Sequence, residues 1–116
     1  MLINQESLYA LKIIYYLSKQ DKSRIITGKE ISNSENISIN FTLKILGIFC
    51  KNGIVESFKG SKGGFRLKKK NLSFYEIINL IQKNTFTSVD KGKGEVEMFI
   101  YEVQENLRNM FENKVI

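Results

Sequence analysis

The sequence predicts a mainly α-helical fold with one small β-hairpin and a long C-terminal helix, on three observations. Apolar residues recur at three- and four-residue spacing through most of the chain. A glycine-rich segment, Gly60-Ser61-Lys62-Gly63-Gly64, separates two short runs of strand formers. A second apolar stripe begins after a polar gap containing Gly92 and Gly94. Proline, internal repeats and low-complexity stretches are all missing from the 116 residues, so the expected organisation is one domain over 1–83, a loop over 84–94 and a helical arm over 95–116. A chain of this length buries roughly two thirds of the surface its unfolded form exposes and needs no covalent staples.

The first helix is expected from about Glu6 to Lys19. Leu8, Leu11, Ile14, Tyr15 and Ser18 lie on one stripe, and Tyr9, Ala10, Ile13, Tyr16 and Leu17 cover most of the rest, so it needs neighbours on two sides. Thr27-Gly28-Lys29-Glu30 reads as a capping box, opening a short second helix that ends near Ser34. Ser38 is the next cap, and Phe41, Ile45, Leu46, Phe49 and Cys50 carry a third helix to Lys51. Asn52-Gly53 closes it. Ile54–Lys59 and Phe65–Lys68 are the hairpin strands. Ser73-Phe74-Tyr75-Glu76 is a second capping box, ahead of a helix with Phe74, Ile77, Ile78 and Ile81 on one face. From Glu95 onwards Val96, Phe99, Ile100, Val103, Leu107, Met110 and Phe111 form the stripe of a helix roughly 30 Å long.

Composition narrows the function. The formal charge is +6, and it is uneven: residues 1–70 hold 13 Lys/Arg against 5 Asp/Glu, whereas 71–116 hold 5 against 7. A basic half of this kind suits a polyanion. With one cysteine, Cys50, and no histidine, neither an internal disulfide nor a zinc site of thiols and imidazoles fits within the chain, and no metal ligands are assigned. The same scarcity removes the common nucleophile and acid-base sets, so an enzyme is not expected. The apolar run Leu8–Leu17 is broken by Lys12 and is about half the length a membrane helix requires. A cytoplasmic protein without a membrane partner is the expectation.

Two short helices, a longer one and a basic hairpin occur in the order of a winged helix-turn-helix. In that arrangement the later helix enters the major groove of double-stranded DNA and the hairpin lies along the neighbouring backbone or minor groove. The first turn of the third helix offers Ser38, Asn40, Phe41 and Lys44. Asn reads adenine edges and Lys reads guanine or phosphate, while Ser38 doubles as a plain N-cap and an aromatic at the spacing of Phe41 is more often core. The hairpin offers Lys59, Gly60, Ser61, Lys62, Gly63, Gly64 and Arg66, followed by Lys68-Lys69-Lys70, with no acidic residue between Ser57 and Lys70. Lysines neutralise phosphates, and glycines let the backbone come close.

The segments Ile37–Leu46, Asn52-Gly53-Ile54-Val55 and Lys59-Gly60-Ser61-Lys62-Gly63-Gly64-Phe65-Arg66-Leu67 resemble the Rrf-type winged-helix transcriptional regulators, a likeness running from Tyr9-Ala10-Leu11 to about Gln82. The resemblance implies a homodimer on a palindromic operator, with Ser38, Asn40, Phe41 and Lys44 at the major groove. It places Lys59, Gly60, Lys62, Gly63 and Gly64 in the flanking minor groove, and implies repression as the outcome. Lys59 departs from the arginine common at its position, and a lysine lacks the planar fork. Several members of the family hold an iron-sulfur cluster on three cysteines between the helix after the wing and the C-terminal helix. The corresponding stretch here, Asn84–Gly94, has none, so no cofactor is expected.

The stripe Val96, Phe99, Ile100, Val103, Leu107, Met110 and Phe111 extends beyond a compact domain of this size. Pairing with a symmetry mate is the economical answer, and packing back on the first helix is the alternative. Tyr9, Tyr15, Tyr16, Phe99 and Tyr101 either read a small-molecule or protein effector or fill the dimer core. The rival to DNA binding is a winged helix used as a protein-interaction or RNA-binding module.

Overall fold

The structure is a computed structural model and describes residues 3–83 and 91–116. Its elements are α1 (Gln5–Ser18), α2 (Gly28–Glu35), α3 (Ile39–Lys51), β1 (Val55–Phe58), β2 (Gly64–Leu67), α4 (Phe74–Ile81) and α5 (Glu95–Asn113). They form two compact units, Tyr9–Lys70 and Met1–Leu8 with Asn71–Ile116.

In the unit Tyr9–Lys70, α1 buries Ala10, Leu11, Ile13, Ile14 and Leu17, as its nearly all-round apolar sequence requires. The Thr27 hydroxyl accepts from the Glu30 amide and starts α2, but the reciprocal half of the expected capping box is not made. The Glu30 carboxylate instead takes the Tyr16 hydroxyl and the Arg24 guanidinium. A phenol and a guanidinium are stronger donors to a carboxylate than one exposed amide, so they capture it. Asn36 ends α2 in the left-handed conformation, with its N–H donated to the Ser32 carbonyl. Ile37 is buried behind this turn and Ser38 caps α3, so three residues reverse the chain between the helices.

α3 buries Thr42, Ile45, Leu46 and Phe49, and packs on α2 and β1. Cys50, one of the positions expected on the apolar stripe of this helix, is half-buried. Gly53 closes the helix at φ 71°. β1 and β2 pair antiparallel with Glu56 opposite Arg66 and Phe58 opposite Gly64. Ile26, just before α2, exchanges both backbone hydrogen bonds with Phe65, at 2.8 and 2.7 Å. That bridge ties the hairpin to the start of the helix-turn-helix, and it demands the glycine beside it: a Cβ on Gly64 would stand 2.6 Å from the Ile26 carbonyl oxygen.

In the other unit, the Asn4 side chain accepts from the Ser7 amide at the start of α1, and the Asn4 amide donates to Gln82. The Ser73 capping box is complete, and Ile77 and Ile78 are buried. α5 packs on α4. It stops at Asn113, three residues short of the expected end, because Lys114–Ile116 turn extended and bond to Leu72 and Phe74. Backbone pairing at 2.7 and 2.9 Å satisfies groups that a frayed last helical turn would leave to water. Most of the loop predicted over 84–94 lies outside the described residues.

Candidate nucleic-acid interface

The outward face of α3 and the hairpin tip belong to the same compact unit, and the Ile26 to Phe65 bridge fixes the hairpin to the base of α2. Ser38, Asn40 and Lys44 are exposed. The Ser38 hydroxyl accepts from the Phe41 amide at 3.2 Å and the Ser38 carbonyl accepts from Thr42 Oγ1 at 2.9 Å, so the residue is occupied as an N-cap at the helix end that favours anions. Phe41 is half-buried: its ring meets Tyr9 edge-on at 5.6 Å, and Lys44 Nζ stands 5.8 Å from its centroid. Packing accounts for much of that side chain.

The hairpin tip is a turn closed by the Gly63 N–H donating to the Gly60 carbonyl at 3.0 Å. Lys59, Gly60, Ser61 and Lys62 are exposed on it. Gly60 adopts φ 103° in open space, a conformation an L side chain rarely takes. Gly63 and Gly64 are held by the fold itself, since a Cβ on Gly63 would fall 2.1 Å from the Phe58 carbonyl oxygen. Arg66 lies down the strand and pairs across it with Glu56 at 3.2 Å, its guanidinium 4.9 Å from the Phe58 ring. Its charge is shared with that carboxylate, whereas the exposed run Lys68-Lys69-Lys70 extends the basic edge.

Sequence reasoning passed over three positions on the same face of α3. Ile39, Leu43 and Gly47 are exposed, four residues apart and on the far side from Ile45 and Phe49. Helical geometry carried the signal, because these positions fall outside the buried stripe.

A polar network braces the first turn of α2. The Tyr16 hydroxyl donates to Glu30, holding the Tyr16 pKa above its ordinary value and the Glu30 carboxyl below the usual range, with Arg24 adding to the latter. Lys12 Nζ donates to the Glu35 carbonyl at 3.2 Å, where cations suit the C-terminal end of α2. Of the rings offered as a signal-reading surface, Tyr16 is therefore tied to Glu30 and Tyr9 to Phe41, and Tyr15 lies beneath Lys19 at 4.8 Å. Burial pushes the Cys50 thiol above its ordinary range, only partly offset by a hydrogen bond with Ser57. Less thiolate means a poorer nucleophile and a poorer metal ligand.

Among the described residues no cluster of three His, Cys, Asp or Glu is placed to hold a metal ion, and no helix is long and apolar enough to cross a membrane. The single thiol of the sequence, Cys50, lies in α3.

Comparison with known proteins agrees with this architecture. The chain is 36% identical over 61 residues to the HTH-type transcriptional regulator NsrR of Halalkalibacterium halodurans, a match covering 53% of this chain and 42% of that protein. It is 30% identical over 78 residues to NsrR of Shouchella clausii, covering 66% and 52%. The matched stretch thus spans about half the length of these relatives. In structure it is similar to CymR, the global cysteine regulator of B. subtilis, with TM-score 0.87 and 18% identity over 97% of this chain and 91% of that one. T. potens IscR gives TM-score 0.81 at 15% identity, over 97% and 81%. The family model Rrf2, described as an iron-dependent transcriptional regulator, matches residues 3–114, and the chain belongs to the Rrf2 family.

Proposed function

We propose that this chain is a sequence-specific DNA-binding transcription regulator that works as a homodimer on a palindromic operator, as a repressor and without a cysteine-held cluster. The observation that carries the reading is that one compact unit holds both the exposed face of α3, which packs on α2 and β1, and a lysine-tipped wing that the Ile26 to Phe65 bridge holds to the base of α2. α3 would lie in the major groove, with Asn40 and Lys44 toward the bases and Ser38 at phosphate. Lys59, Lys62 and the backbone of Gly60 and Ser61 would follow the neighbouring minor groove, with Phe41, Gly63, Gly64 and Arg66 shaping the surface.

The homodimer rests on α5. Val96, Phe99, Ile100, Val103 and Met110 are exposed at 71, 62, 38, 38 and 68%, and Leu107 and Phe111 are half-buried. Apolar surface of this extent on one helix suits a self-complementary two-fold interface.

Selection of bound sequences from a random duplex pool tests the reading. A palindrome with half-sites about 34 Å apart is expected, losing sequence preference with Asn40→Ala. Affinity should fall with Lys59→Ala, together with a salt slope shallower by about 1. For roughly 6–10 neutralised phosphates, affinity should drop about 10³–10⁵-fold between 50 and 200 mM salt. A pool without enrichment and a binding activity indifferent to salt would instead identify a protein-interaction module.

A further inference from the structure

We infer that Leu43 is a specificity-determining residue whose side chain reads the 5-methyl group of a thymine one or two base pairs from the base contacted by Asn40. The inference rests on the DNA-binding reading above and assigns part of its sequence preference.

Leu43 is 47% exposed and Ile39 is 40% exposed, on a helix that buries Ile45, Leu46 and Phe49 completely. An exposed leucine alone is ordinary. Its setting here is not. Asn40 lies one turn before it and Lys44 directly after it, so polar base-reading groups flank an apolar one. The side chain is also braced: Leu43 Cδ2 lies over Gly28 so closely that a Cβ there would be 2.8 Å away, with Ile39 Cδ1 at 3.7 Å. The bare backbone at the start of α2 is the seat on which Leu43 rests, and a seated side chain loses less freedom on binding than a loose one.

One turn beyond, Gly47 is exposed in mid-helix, and apart from its chain neighbours and the backbone of its own helix no described atom lies within 4 Å of where its Cβ would be. Glycine weakens a helix relative to alanine, and no described side chain occupies that space. The clearance suits something outside it, such as a groove wall approaching the backbone beside Leu43.

The major-groove edges of the four base pairs offer one apolar group, the thymine methyl. Residues three apart on a helix have Cβ atoms about 5–6 Å apart, whereas base pairs of B-DNA rise about 3.4 Å each. Leu43 therefore meets a base pair one or two steps from the one Asn40 reads. With Asn40 favouring adenine, each half-site should hold an A·T pair for each residue.

The test uses the full chain and the selected duplex, replacing each thymine of the half-sites by deoxyuridine, which removes only the methyl group. One thymine should be sensitive in the parent, with affinity falling roughly fourfold per half-site, the factor given by about one buried carbon. The same replacement should be silent in Leu43→Ala and retained in Leu43→Met. If no thymine is uracil-sensitive, or if Leu43→Ala loses as much as the parent, the inference falls while a selected palindrome still stands. The DNA arm alters nothing in the protein, so the parent result holds even if Leu43→Ala folds poorly. A pool that enriches no sequence overturns the DNA reading itself.

Discussion

α3 and α5 each carry a regular apolar stripe in sequence, and the two stripes end differently. The 13-residue α3 buries Ile45, Leu46 and Phe49 completely, takes a side-chain cap from Ser38, and packs on α2 and β1. The 19-residue α5 buries none of its residues, and its N-cap, Gly94, makes no side-chain cap bond. The same periodicity thus produces a finished core where several elements converge and an open apolar surface where α4 is the element packed against it. A stripe specifies that a helix needs a neighbour. It does not specify whether that neighbour comes from the same chain.

Matched substitutions should separate the two cases. Phe49→Ala in α3 leaves a cavity in a filled core and should cost about 3–5 kcal/mol of folding stability, read by denaturant unfolding. Phe99→Glu in α5 should leave the chain folded and weaken the dimer, roughly 30-fold for a hot-spot loss of about 2 kcal/mol, read by sedimentation across protein concentration. A dimer unaffected by Phe99→Glu would place the α5 stripe outside the subunit interface.

A smaller effect of opposite sign is expected on the outer face of α3. Gly47→Ala should stabilise the fold by up to about 1 kcal/mol, the helix-propensity difference, and should weaken binding to the selected duplex by filling the clearance. A higher melting temperature with unchanged affinity would show that the groove does not close on Gly47.

The smallest effect comes from the network at α2. The Tyr16 hydroxyl and then Arg24 lower the Glu30 pKa, so the stabilisation is present above the unfolded carboxyl pKa and is lost as pH falls through the depressed folded value. Glu30→Gln should therefore cost less than about 1 kcal/mol at neutral pH, given the exposure of both partners. Parent and variant should converge below about pH 4. The raised Tyr16 pKa acts at the other end: its share is present below about pH 10 and is lost as pH rises through the raised value. A Glu30→Gln difference that persists in acid would place the stabilisation elsewhere.

Most elements were legible in sequence because local chemistry defines them. Ser38 and Ser73 cap where the hydroxyl and spacing say they should, and Gly53 stops α3. The α2 turn was harder to read, since Asn36 supplies the left-handed residue where a glycine is the usual signal. The bridges from Ile26 to Phe65 and from Ser73 to Val115 were not legible, because single backbone pairings between distant segments leave no periodicity. On the candidate interface, residue type suggested Asn40, Lys44, Lys59 and Lys62. It did not reveal that Arg66 is paired with Glu56, or that Leu43 is braced on Gly28.

By itself the sequence determined the helices, the hairpin, the basic first half and the single thiol, because caps, periodicity, charge and composition can be read along the chain. Tertiary structure decided which glycines the fold requires, where Glu30 spends its carboxylate and which apolar stripe is left uncovered. Each of these depends on which distant group arrives within a few ångströms, and the burial and hydrogen bonding that follow are set only when the chain has folded.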